Sequence, residues 1–440
     1  MIILVSNAGS TSLKFKLFDM PAETVLCEGR VERVGSAGGA VYHYKNPGRG
    51  IAFKEEKQDI PGYSRGIRRF LDSLRHSETG PLKAAGSGVI GLEDIAAVGF
   101  KTVLARGFYG VHLLDEAVLQ AMEDYRFVAP VHNGAYLEAI ARFREQLPGA
   151  RMVGVFETAF HATIPAERRI YALPYEWYEK YGVQRMGYHG ASHSYVARTI
   201  TGMAAGMDAA GTDAAGTDAA GRSAARRIIS CHLGGSCSIC AILDGKSVDN
   251  SFGFSLQAGT PHANRAGDLD PYIVLYLLHE GMSMEELLEG LEKKGGMMGI
   301  SGISGDMRDL EEAARGGHKR AKLALDIFVN AVQRYIGQYY VELGGLDALV
   351  FTGGIGENSP LLRRRICESV QSLGIELDDE ANDMDVNDMD ATGMDAAGMD
   401  AAGRGDRLIS SAASKAAVWV IPANEELGVA RESFKLLHRS

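Results

Sequence analysis

The residues best suited to chemistry stand near the start of the chain, in a short polar turn between two apolar segments. Residues 2–5 form an apolar run, and alternation resumes at Leu13, which predicts two strands around the turn at residues 7–12. The turn region offers an amide, a glycine, three hydroxyls and the ammonium of Lys14, so backbone N–H groups and a cation could converge on a phosphate. A turn of this composition can equally do no more than reverse the chain.

The same arrangement recurs in the second half of the chain. Residues 227–248 are predicted to form an apolar strand, a glycine-rich turn and a second apolar strand that ends at a hairpin signal. A third apolar strand at residues 348–351 leads into the glycine-rich stretch 352–358, where backbone could approach a nucleotide closely. We therefore expect an α/β fold with a duplicated domain and a nucleotide in the cleft between the copies. The sequence has neither a Walker lysine-serine pair nor a GxGxxG motif, so it supports neither a P-loop nor a Rossmann assignment.

The composition excludes several classes of protein. A net charge of −10 and the lack of a basic stripe argue against nucleic-acid binding, and 440 residues are enough for two domains. No apolar run approaches the roughly 18 to 20 residues of a membrane span, and the first apolar run is too short for a signal peptide, so we expect a soluble cytoplasmic protein. Cys237 and Cys240 form a CxxC pair on a predicted strand, where they point to opposite faces, so we expect no metal or redox role.

Eight ordered segments resemble the acetate kinase family, with its propionate and butyrate kinase relatives in the sugar kinase, Hsp70 and actin superfamily. The segments are NAGSTSLKF, VFETAFHATIP, GYHGASHSYV, HLGGSCS, GDLDP, SGDMRDL, FTGGIGENSP and NEELGVARE. The resemblance implies two duplicated ribonuclease H-like (actin-like ATPase) domains. We expect residues 1–157 with 420–440 to form the acyl-substrate and phosphate domain. Residues 158–419 would form the nucleotide-binding domain, with low-complexity insertions at 203–222 and 382–406.

The resemblance also implies a nucleotide site, built from the first hairpin and three later turns. Its members would be Lys14, Ser10, Ser12, His232, Leu233, Gly234, Gly235, Ser236, Asp306, Met307, Arg308, Gly354, Ile355, Gly356, Glu357 and Asn358. One of them departs from the family pattern, since Gly235 stands where the family has an asparagine. Backbone donors remain there, and the hydroxyl of Ser236 could partly replace the lost amide.

Catalytic and metal-binding roles follow from the same resemblance. The implied catalytic residues are Lys101, His132, Glu157, His189 and Arg265, and Asn7 with Glu425 would place a magnesium or manganese ion. The residues alone also allow structural roles. His132 and His189 could be capping or buried polar residues, and Glu425 could simply favour the dipole of the helix that it begins.

Two substitutions fall within this presumed site. Lys101 stands where the family has an arginine, and a lysine lacks the planar fork that grips a carboxylate at two points. Glu157 stands where the family has an aspartate, which keeps the charge but moves it one methylene further from the backbone. Our hypothesis is that Lys101 and Glu157 form a pair that jointly replaces the family's arginine and aspartate.

The acyl pocket is predicted to be apolar. By resemblance Val103, Val131, Tyr188 and Leu256 would line it beside Lys101, and the segment 257–264 departs from the family's sequence. A pocket contact discriminates by only about 1–3 kcal/mol per methylene, so the sequence does not fix the chain length of the acid.

Two low-complexity segments stand apart from these motifs. Residues 203–221 and 382–406 repeat five-residue units, a period that fits neither a helix nor a strand, and glycine in each unit weakens any helix. We interpret both as flexible surface insertions that are dispensable for chemistry.

The resemblance implies direct, reversible phosphoryl transfer between ATP and a short carboxylate such as acetate, assisted by a divalent cation. It also implies that the protein is a homodimer. Lys101 and Arg265 would bind the carboxylate and phosphoryl oxygens, while the histidines would steady the charge. Two alternatives remain open: a kinase of the same fold with another acid or donor, and a nucleotide-binding protein with weakened catalysis.

Overall fold

The structure is a computed structural model that describes residues 1–9, 12–36, 39–82, 90–209, 225–384 and 405–438, with backbone only at 130–131 and 204–209. It divides into two compact units. Unit 1 is Met1–Ala159 with Asn424–Ser440, and unit 2 is Phe160–Ala423. The domain boundaries expected from the sequence lie at residues 157/158 and 419/420.

Unit 1 contains a mixed sheet. Its strands are β1 Ile2–Gly9, β2 Ser12–Asp19, β3 Thr24–Glu32, β4 Ala40–Asn46, β5 Ile51–Gln58, β6 Ile95–Thr102, β7 Val111–Leu113 and β8 Arg151–Phe156. The order across the sheet is β5-β4-β3-β2-β1-β6-β8-β7. Strands β1 to β5 form an antiparallel meander, as the alternating sequence predicts, while β6 and β8 continue the sheet in parallel with β1.

Helices cover both faces of this sheet. They are α1 Tyr63–Arg75, α2 Glu116–Asp124, α3 Pro130–Gln146 and, near the end of the chain, α15 Glu425–His438. On one face Phe15 of β2 stacks on Phe70 of α1, with ring centroids 4.6 Å apart, and meets Phe143 of α3 edge-on. On the other face Leu427 and Val429 of α15 pack against the apolar side chains of β1, β6 and β8. The start of α15 therefore lies over the sheet that also carries Lys101.

Unit 2 has a second mixed sheet. Its strands are β9 Arg227–His232, β10 Ser238–Leu243, β11 Lys246–Asn250, β12 Ala348–Thr352, β13 Arg407–Leu408 and β14 Ala417–Val420, in the order β11-β10-β9-β12-β14-β13. Its antiparallel part is β11-β10-β9, and β12 and β14 follow in parallel. The series β3-β2-β1-β6-β8 of unit 1 has the same order and directions. The mixed α/β fold with a repeated sheet is thus confirmed.

The helices of unit 2 share its apolar core with the strands. They are α4 Ala166–Arg169, α5 Tyr175–Tyr181, α6 Gly190–Ala209, α7 Tyr272–His279, α8 Met284–Glu292, α9 Gly296–Ser301, α10 Met307–Arg315, α11 Lys319–Leu343, α12 Gly353–Asn358, α13 Pro360–Glu368 and α14 Asp379–Asp383. The long helix α11 buries Phe328, Val332 and Ile336 and packs against β9 and β10.

Several sequence-based boundaries need correction. β1 runs on through Asn7 to Gly9, so the polar turn is shorter than residues 7–12. Helical spacing of apolar residues predicts helices over 271–294 and 310–343. The structure divides each segment into two helices, because Gly281 and Gly317 adopt positive φ angles just after the first helix of each pair.

The first insertion also begins later than predicted. Helix α6 continues as far as Ala209, so residues 203–209 are helical despite their five-residue repeat. The alanines between its glycines are strong helix formers, and α6 is already nucleated before the repeat starts. The rest of this insertion, 210–222, lies outside the described residues.

The second insertion begins later too, because Asn382 belongs to the fold. Its side chain is fully buried in α14 and accepts a hydrogen bond of 2.8 Å from Arg363. Residues 385–404 lie outside the described part of the chain.

Candidate active site

Lys101 lies between two carboxylates in unit 1. Its Nζ is 2.7 Å from Oε2 of Glu425, at the start of α15, and 3.7 Å from Oε1 of Glu157, which follows β8. The backbone N–H of Glu157 donates to the carbonyl of Thr102 at 2.8 Å, which continues the pairing of β6 with β8 and brings the side chain to Lys101. The predicted Lys101–Glu157 pair is therefore present, and Glu425 is the nearer partner.

Burial and charge act in opposite directions on this lysine. Desolvation lowers the pKa of the Lys101 ammonium, but the carboxylates of Glu157 and Glu425 outweigh it and hold the pKa above its ordinary value. The lysine therefore stays charged at neutral pH. Two carboxylates against one ammonium leave the cluster with a net charge of −1 when all three groups are ionised.

A tyrosine connects this cluster to the first strand. The hydroxyl of Tyr136, on α3, donates to Oδ1 of Asn7 at 2.9 Å. Burial is the largest cause that raises the pKa of Tyr136, and the nearby charges of Lys101, Glu157 and Glu425 also act on it. The tyrosine is therefore a neutral hydrogen-bond donor, and it fixes the amide that the sequence suggests as a metal ligand.

The donor atoms of this cluster fit a magnesium ion. Asn7 and Glu425 offer hard oxygen ligands, and Mg²⁺ is usually held by one or two protein oxygens together with substrate phosphates and water. The described residues hold no group of three or more His, Cys, Asp or Glu side chains placed to bind a metal by themselves. A cluster of charge −1 also needs added positive charge before it can accept anionic substrates.

The other predicted residues of unit 1 lie at varied positions. Ser12 and Lys14 pair in register with Gly9 and Asn7, and Lys14 lines an open groove of about 680 Å³ on the sheet. His132 lies in the first turn of α3, and Val103 is buried just after β6. Ser10 and the side chain of Val131 fall outside what is described.

Unit 2 contains a cavity walled by three glycine-bearing turns. Its volume is about 560 Å³, a size that suits a small-molecule ligand. Eight residues of the predicted nucleotide site line it: Gly234, Gly235, Asp306, Met307, Arg308, Gly354, Ile355 and Asn358. A cavity of about 650 Å³ elsewhere in the unit is lined by none of the predicted residues, so size alone does not identify a site.

Close backbone packing builds this cavity. Gly353 has a φ of 78°, and a Cβ on it would lie 2.8 Å from the carbonyl oxygen of Leu233, so only glycine fits there. The same carbonyl accepts the N–H groups of Ile355 and Gly356 at 2.8 and 3.1 Å. Oε1 of Glu357 accepts the N–H of Gly353 at 2.8 Å. Leu233, Gly356 and Glu357 thus shape the turn instead of lining the cavity.

Two further turns complete the wall. Asp306 caps α10 by accepting the N–H of Arg308 at 2.9 Å, and it also pairs with the guanidinium of that residue. The hydrogen bond from the side chain of Arg308 is the main cause that lowers the pKa of Asp306. The hydroxyl of Ser236 is buried without a hydrogen-bond partner among the described residues, so a ligand oxygen at the second hairpin turn could bind it.

The predicted catalytic histidine of unit 2 lies at the start of α6. His189 is largely buried and has a φ of 57°, in the left-handed region that residues with a Cβ rarely adopt. Its Nδ1 is 2.9 Å from the hydroxyl oxygen of Ser238 on β10. Its ring lies 4.2 Å from that of His232, whose Nδ1 is bonded to Ser192 at 2.8 Å.

Arg265 and two predicted pocket residues lie in or beside the loop after β11. Nη1 of Arg265 donates to the carbonyl of Leu256 at 2.6 Å, and burial lowers the pKa of this guanidinium. Tyr188 is fully buried, and its hydroxyl donates to the carbonyl of Phe254 at 2.8 Å. These bonds fix the tyrosine ring and the backbone around Leu256.

The family model described as the acetokinase family matches residues 2–431 of this chain. The acetate kinase of Treponema denticola is 40% identical over 440 residues, which cover 99% of this chain and 100% of that protein. This chain belongs to the acetokinase family. It is an ATP-dependent carboxylate kinase, as its full-length relatives indicate.

Two solved structures resemble this member of the acetokinase family. The crystal structure of Porphyromonas gingivalis acetate kinase has a TM-score of 0.77 and 34% identity, and the match covers 99% of each chain. A propionate kinase from Francisella tularensis has a TM-score of 0.79 and 30% identity, and the match covers 98% of each chain.

The sequence did not single out several residues that contact the predicted ones in this acetokinase. Tyr136 bonds Asn7, Ser238 bonds His189, and Ala263, Gly305, Glu311 and Ser359 complete the cavity wall. Gly305 lies within the SGDMRDL segment, and its neighbours could have suggested it. Ser238 and Ser359 likewise lie within the HLGGSCS and FTGGIGENSP segments, whereas Tyr136, Ala263 and Glu311 lie outside the eight segments and carry no such signal.

The cysteines and helices of the described residues bear on two further expectations. Burial raises the pKa of both Cys237 and Cys240 to about 12, so neither is a thiolate at neutral pH. Within the part of the chain that the structure describes, no helix has the length and apolar character needed to cross a membrane.

Proposed function

We propose that this chain transfers the γ-phosphoryl group of ATP to the carboxylate of acetate or a similar short acid, in line and reversibly, giving an acyl phosphate and ADP. A carboxylate oxygen forms the new bond to phosphorus as the bridging oxygen to the β-phosphate leaves. The full-length similarity to an acetate kinase, with eight of the predicted nucleotide residues around one cavity, is the observation that supports this proposal most.

The nucleophile in this reaction is already an anion, so no proton has to be removed from it. A general base is therefore unnecessary, and the role proposed for Glu157 is to position Lys101. Lys101 and Arg265 supply positive charge to the carboxylate and phosphoryl oxygens, and His189 donates a hydrogen bond to the transferring group. His132 would add to this stabilisation at the start of α3.

We propose that Asn7 and Glu425 hold the divalent metal, Mg²⁺ or Mn²⁺, when the nucleotide binds. Such an ion neutralises phosphate charge as it develops in the transition state. Lys14, Ser10 and Ser12 would lie near the phosphates. The predicted apolar wall of Val103, Val131, Tyr188 and Leu256 stays a prediction for the acyl group.

We further propose a cytoplasmic homodimer, on the family resemblance. An exposed apolar surface on α7 supports the dimer, since Tyr272, Leu275 and Tyr276 are 73%, 55% and 60% exposed. Apolar surface of this extent is typical of a protein interface.

A longer acid is the second candidate substrate. The match to a propionate kinase at a TM-score of 0.79 favours it, as does the departure of residues 257–264 from the family sequence. A kinase with another phosphoryl donor remains a further alternative, as does a protein with weakened catalysis.

Trapping with hydroxylamine tests the proposal. MgATP is incubated with acetate, propionate, butyrate and longer or branched acids, and the acyl phosphate is measured as its hydroxamate. We expect turnover of at least one short acid, and the best acid reports the size of the pocket. The variant His189→Asn should lose about 10²- to 10³-fold in kcat, which separates this activity from that of a contaminating kinase. No product from any acid, with ATP binding intact, would refute the proposal.

A further inference from the structure

Four side chains form a continuous hydrogen-bonded chain beneath the predicted catalytic histidine. The hydroxyl oxygen of Ser230, on β9, lies 2.9 Å from Nδ1 of His193, on α6. Nε2 of His193 lies 2.7 Å from the hydroxyl oxygen of Ser238, on β10, which in turn is 2.9 Å from Nδ1 of His189. Strand and helix residues therefore alternate along one path that ends at His189.

The interior of this chain is closed to water. Ser230, His193 and Ser238 each have 0% exposure. Burial is the main cause that holds the pKa of His193 well below its ordinary value, and the neighbouring imidazoles of His161 and His232 act in the same direction. His193 is therefore neutral, with one N–H donor and one acceptor nitrogen.

The direction of the hydrogen bonds follows from counting protons. A serine hydroxyl has one proton, so Ser238 donates to one histidine and accepts from the other. If His193 donated to Ser230, the proton of Ser230 would have no acceptor among the described residues, and a buried donor without an acceptor costs about 1–3 kcal/mol. Ser230 therefore donates to His193, His193 donates through Nε2 to Ser238, and Ser238 donates to Nδ1 of His189.

We propose that Ser238 and His193 are positioning residues that hold His189 as its Nε2–H tautomer, with that N–H directed to the transferring phosphoryl group. This inference rests on the proposed phosphoryl transfer for its catalytic meaning. Because Nδ1 accepts from Ser238, the proton of a neutral His189 must be on Nε2. A phosphoryl oxygen is an acceptor, so the opposite tautomer would present a lone pair to it.

Three variants test the arrangement, with nitrogen-15 NMR of the histidine side chains and steady-state kinetics as readouts. Ser238→Ala removes the donor to His189. Ser230 does not contact His189, but its replacement in Ser230→Ala allows His193 to reverse the direction of its hydrogen bonds. Ser247→Ala is a matched control, because Ser247 is equally buried and bonds a different histidine, His161, at 2.8 Å.

We expect the His189 signal of the wild type, assigned by its loss in His189→Gln, to report the Nε2–H form. Both Ser238→Ala and Ser230→Ala should introduce the Nδ1–H form. In Ser238→Ala, kcat should fall by about 10- to 100-fold, the range seen when the partner of a metal-bound histidine is removed, while the KM for ATP stays within about twofold. Ser247→Ala should keep the wild-type tautomer and kcat.

An Nδ1–H or doubly protonated His189 in the wild type would overturn the inference, as would a Ser238→Ala protein with the wild-type tautomer and kcat. The tautomer is measured without substrate, so it remains decisive even if one variant folds poorly. Failure of the proposed function would look different, since the wild type would then form no acyl phosphate whatever the state of His189.

Discussion

At the scale of single residues, Lys101 shows how two substitutions can be accommodated together. Its Nζ lies 2.7 Å from Oε2 of Glu425 and 3.7 Å from Oε1 of Glu157. A lysine ammonium is compact and accepts partners from several directions, whereas a guanidinium binds through a planar fork. The longer side chain of Glu157 suits the position of this ammonium. The lysine at position 101 and the glutamate at position 157 are therefore compatible with each other, whereas either substitution alone would leave a mismatched partner.

A double-mutant cycle tests this coupling. We expect Lys101→Arg and Glu157→Asp each to lower kcat/KM, because each change alone leaves a mismatched partner. The double variant should be more active than the sum of the single effects predicts, by about 0.5–3 kcal/mol, the range for residues in contact. The kcat/KM values of the four proteins give the coupling free energy directly.

The control for this cycle combines Lys101→Arg with Glu116→Asp. Glu116 pairs with Arg144 on the surface of unit 1, and its side chain is 87% exposed. These two changes should be additive. If the Lys101 and Glu157 changes are equally additive, the two residues do not act as a pair.

At the scale of elements, a buried carboxyl on β11 faces the long helix α11. Asp249 is 5% exposed, and burial followed by the charge of Glu342 raises its pKa to about 7. The folded protein thus binds this proton more tightly than the unfolded chain does. The stability that the protonated Asp249 gives is fully present below its ordinary pKa and is lost as the pH rises through about 7.

Replacing this carboxyl should remove the pH dependence that it causes. We expect Asp249→Asn to melt a few degrees above the wild type at pH 8, with a smaller difference at pH 5, where Asp249 is protonated. Thermal unfolding at the two pH values measures this. The control is Asp244→Asn. Arg226 lowers the pKa of Asp244, so this carboxyl is ionised at both pH values, and the variant should change the melting temperature equally at pH 5 and pH 8. A difference for Asp249→Asn that does not change between pH 5 and pH 8 would rule out the buried titration.

Local patterns in the sequence predicted individual strands and helices. Contacts between residues that are far apart in the chain could not be predicted in this way. The alternation in residues 13–18 predicts β2, because neighbouring positions in a strand face opposite sides. The contact between Lys101 and Glu425 spans 324 residues, and that between His189 and Ser238 spans 49. Such residues come together only when the helices that begin at or beside Glu425 and His189 pack on the sheets. Resemblance supplied the residue types of the site, but not which side chain bonds which.

At the scale of the whole molecule, the sheets of the two units share one series of five strands, but the units carry different functional residues. Unit 1 places Lys101 between carboxylates beside Asn7 and Tyr136, and unit 2 surrounds a cavity of about 560 Å³ with glycine turns. We propose that Lys101 of unit 1 contacts the acid, that Asn7 and Glu425 of the same unit hold the metal, and that the cavity of unit 2 binds the adenosine. This separation of the acid and metal contacts from the adenosine site is the central proposal.

The most direct test of this proposal is to measure the KM for ATP and the KM for the best acid in the variants Gly354→Leu and Lys101→Arg. A Cβ on Gly354 would meet no atom within 4 Å, so the leucine should enter the cavity without disturbing the fold. Gly149→Leu, at another position without neighbours within 4 Å, is the control and should match the wild type. We predict that Gly354→Leu raises the KM for ATP by about tenfold or more with little change for the acid, and that Lys101→Arg does the reverse. An unchanged KM for ATP in a folded Gly354→Leu protein would contradict the account.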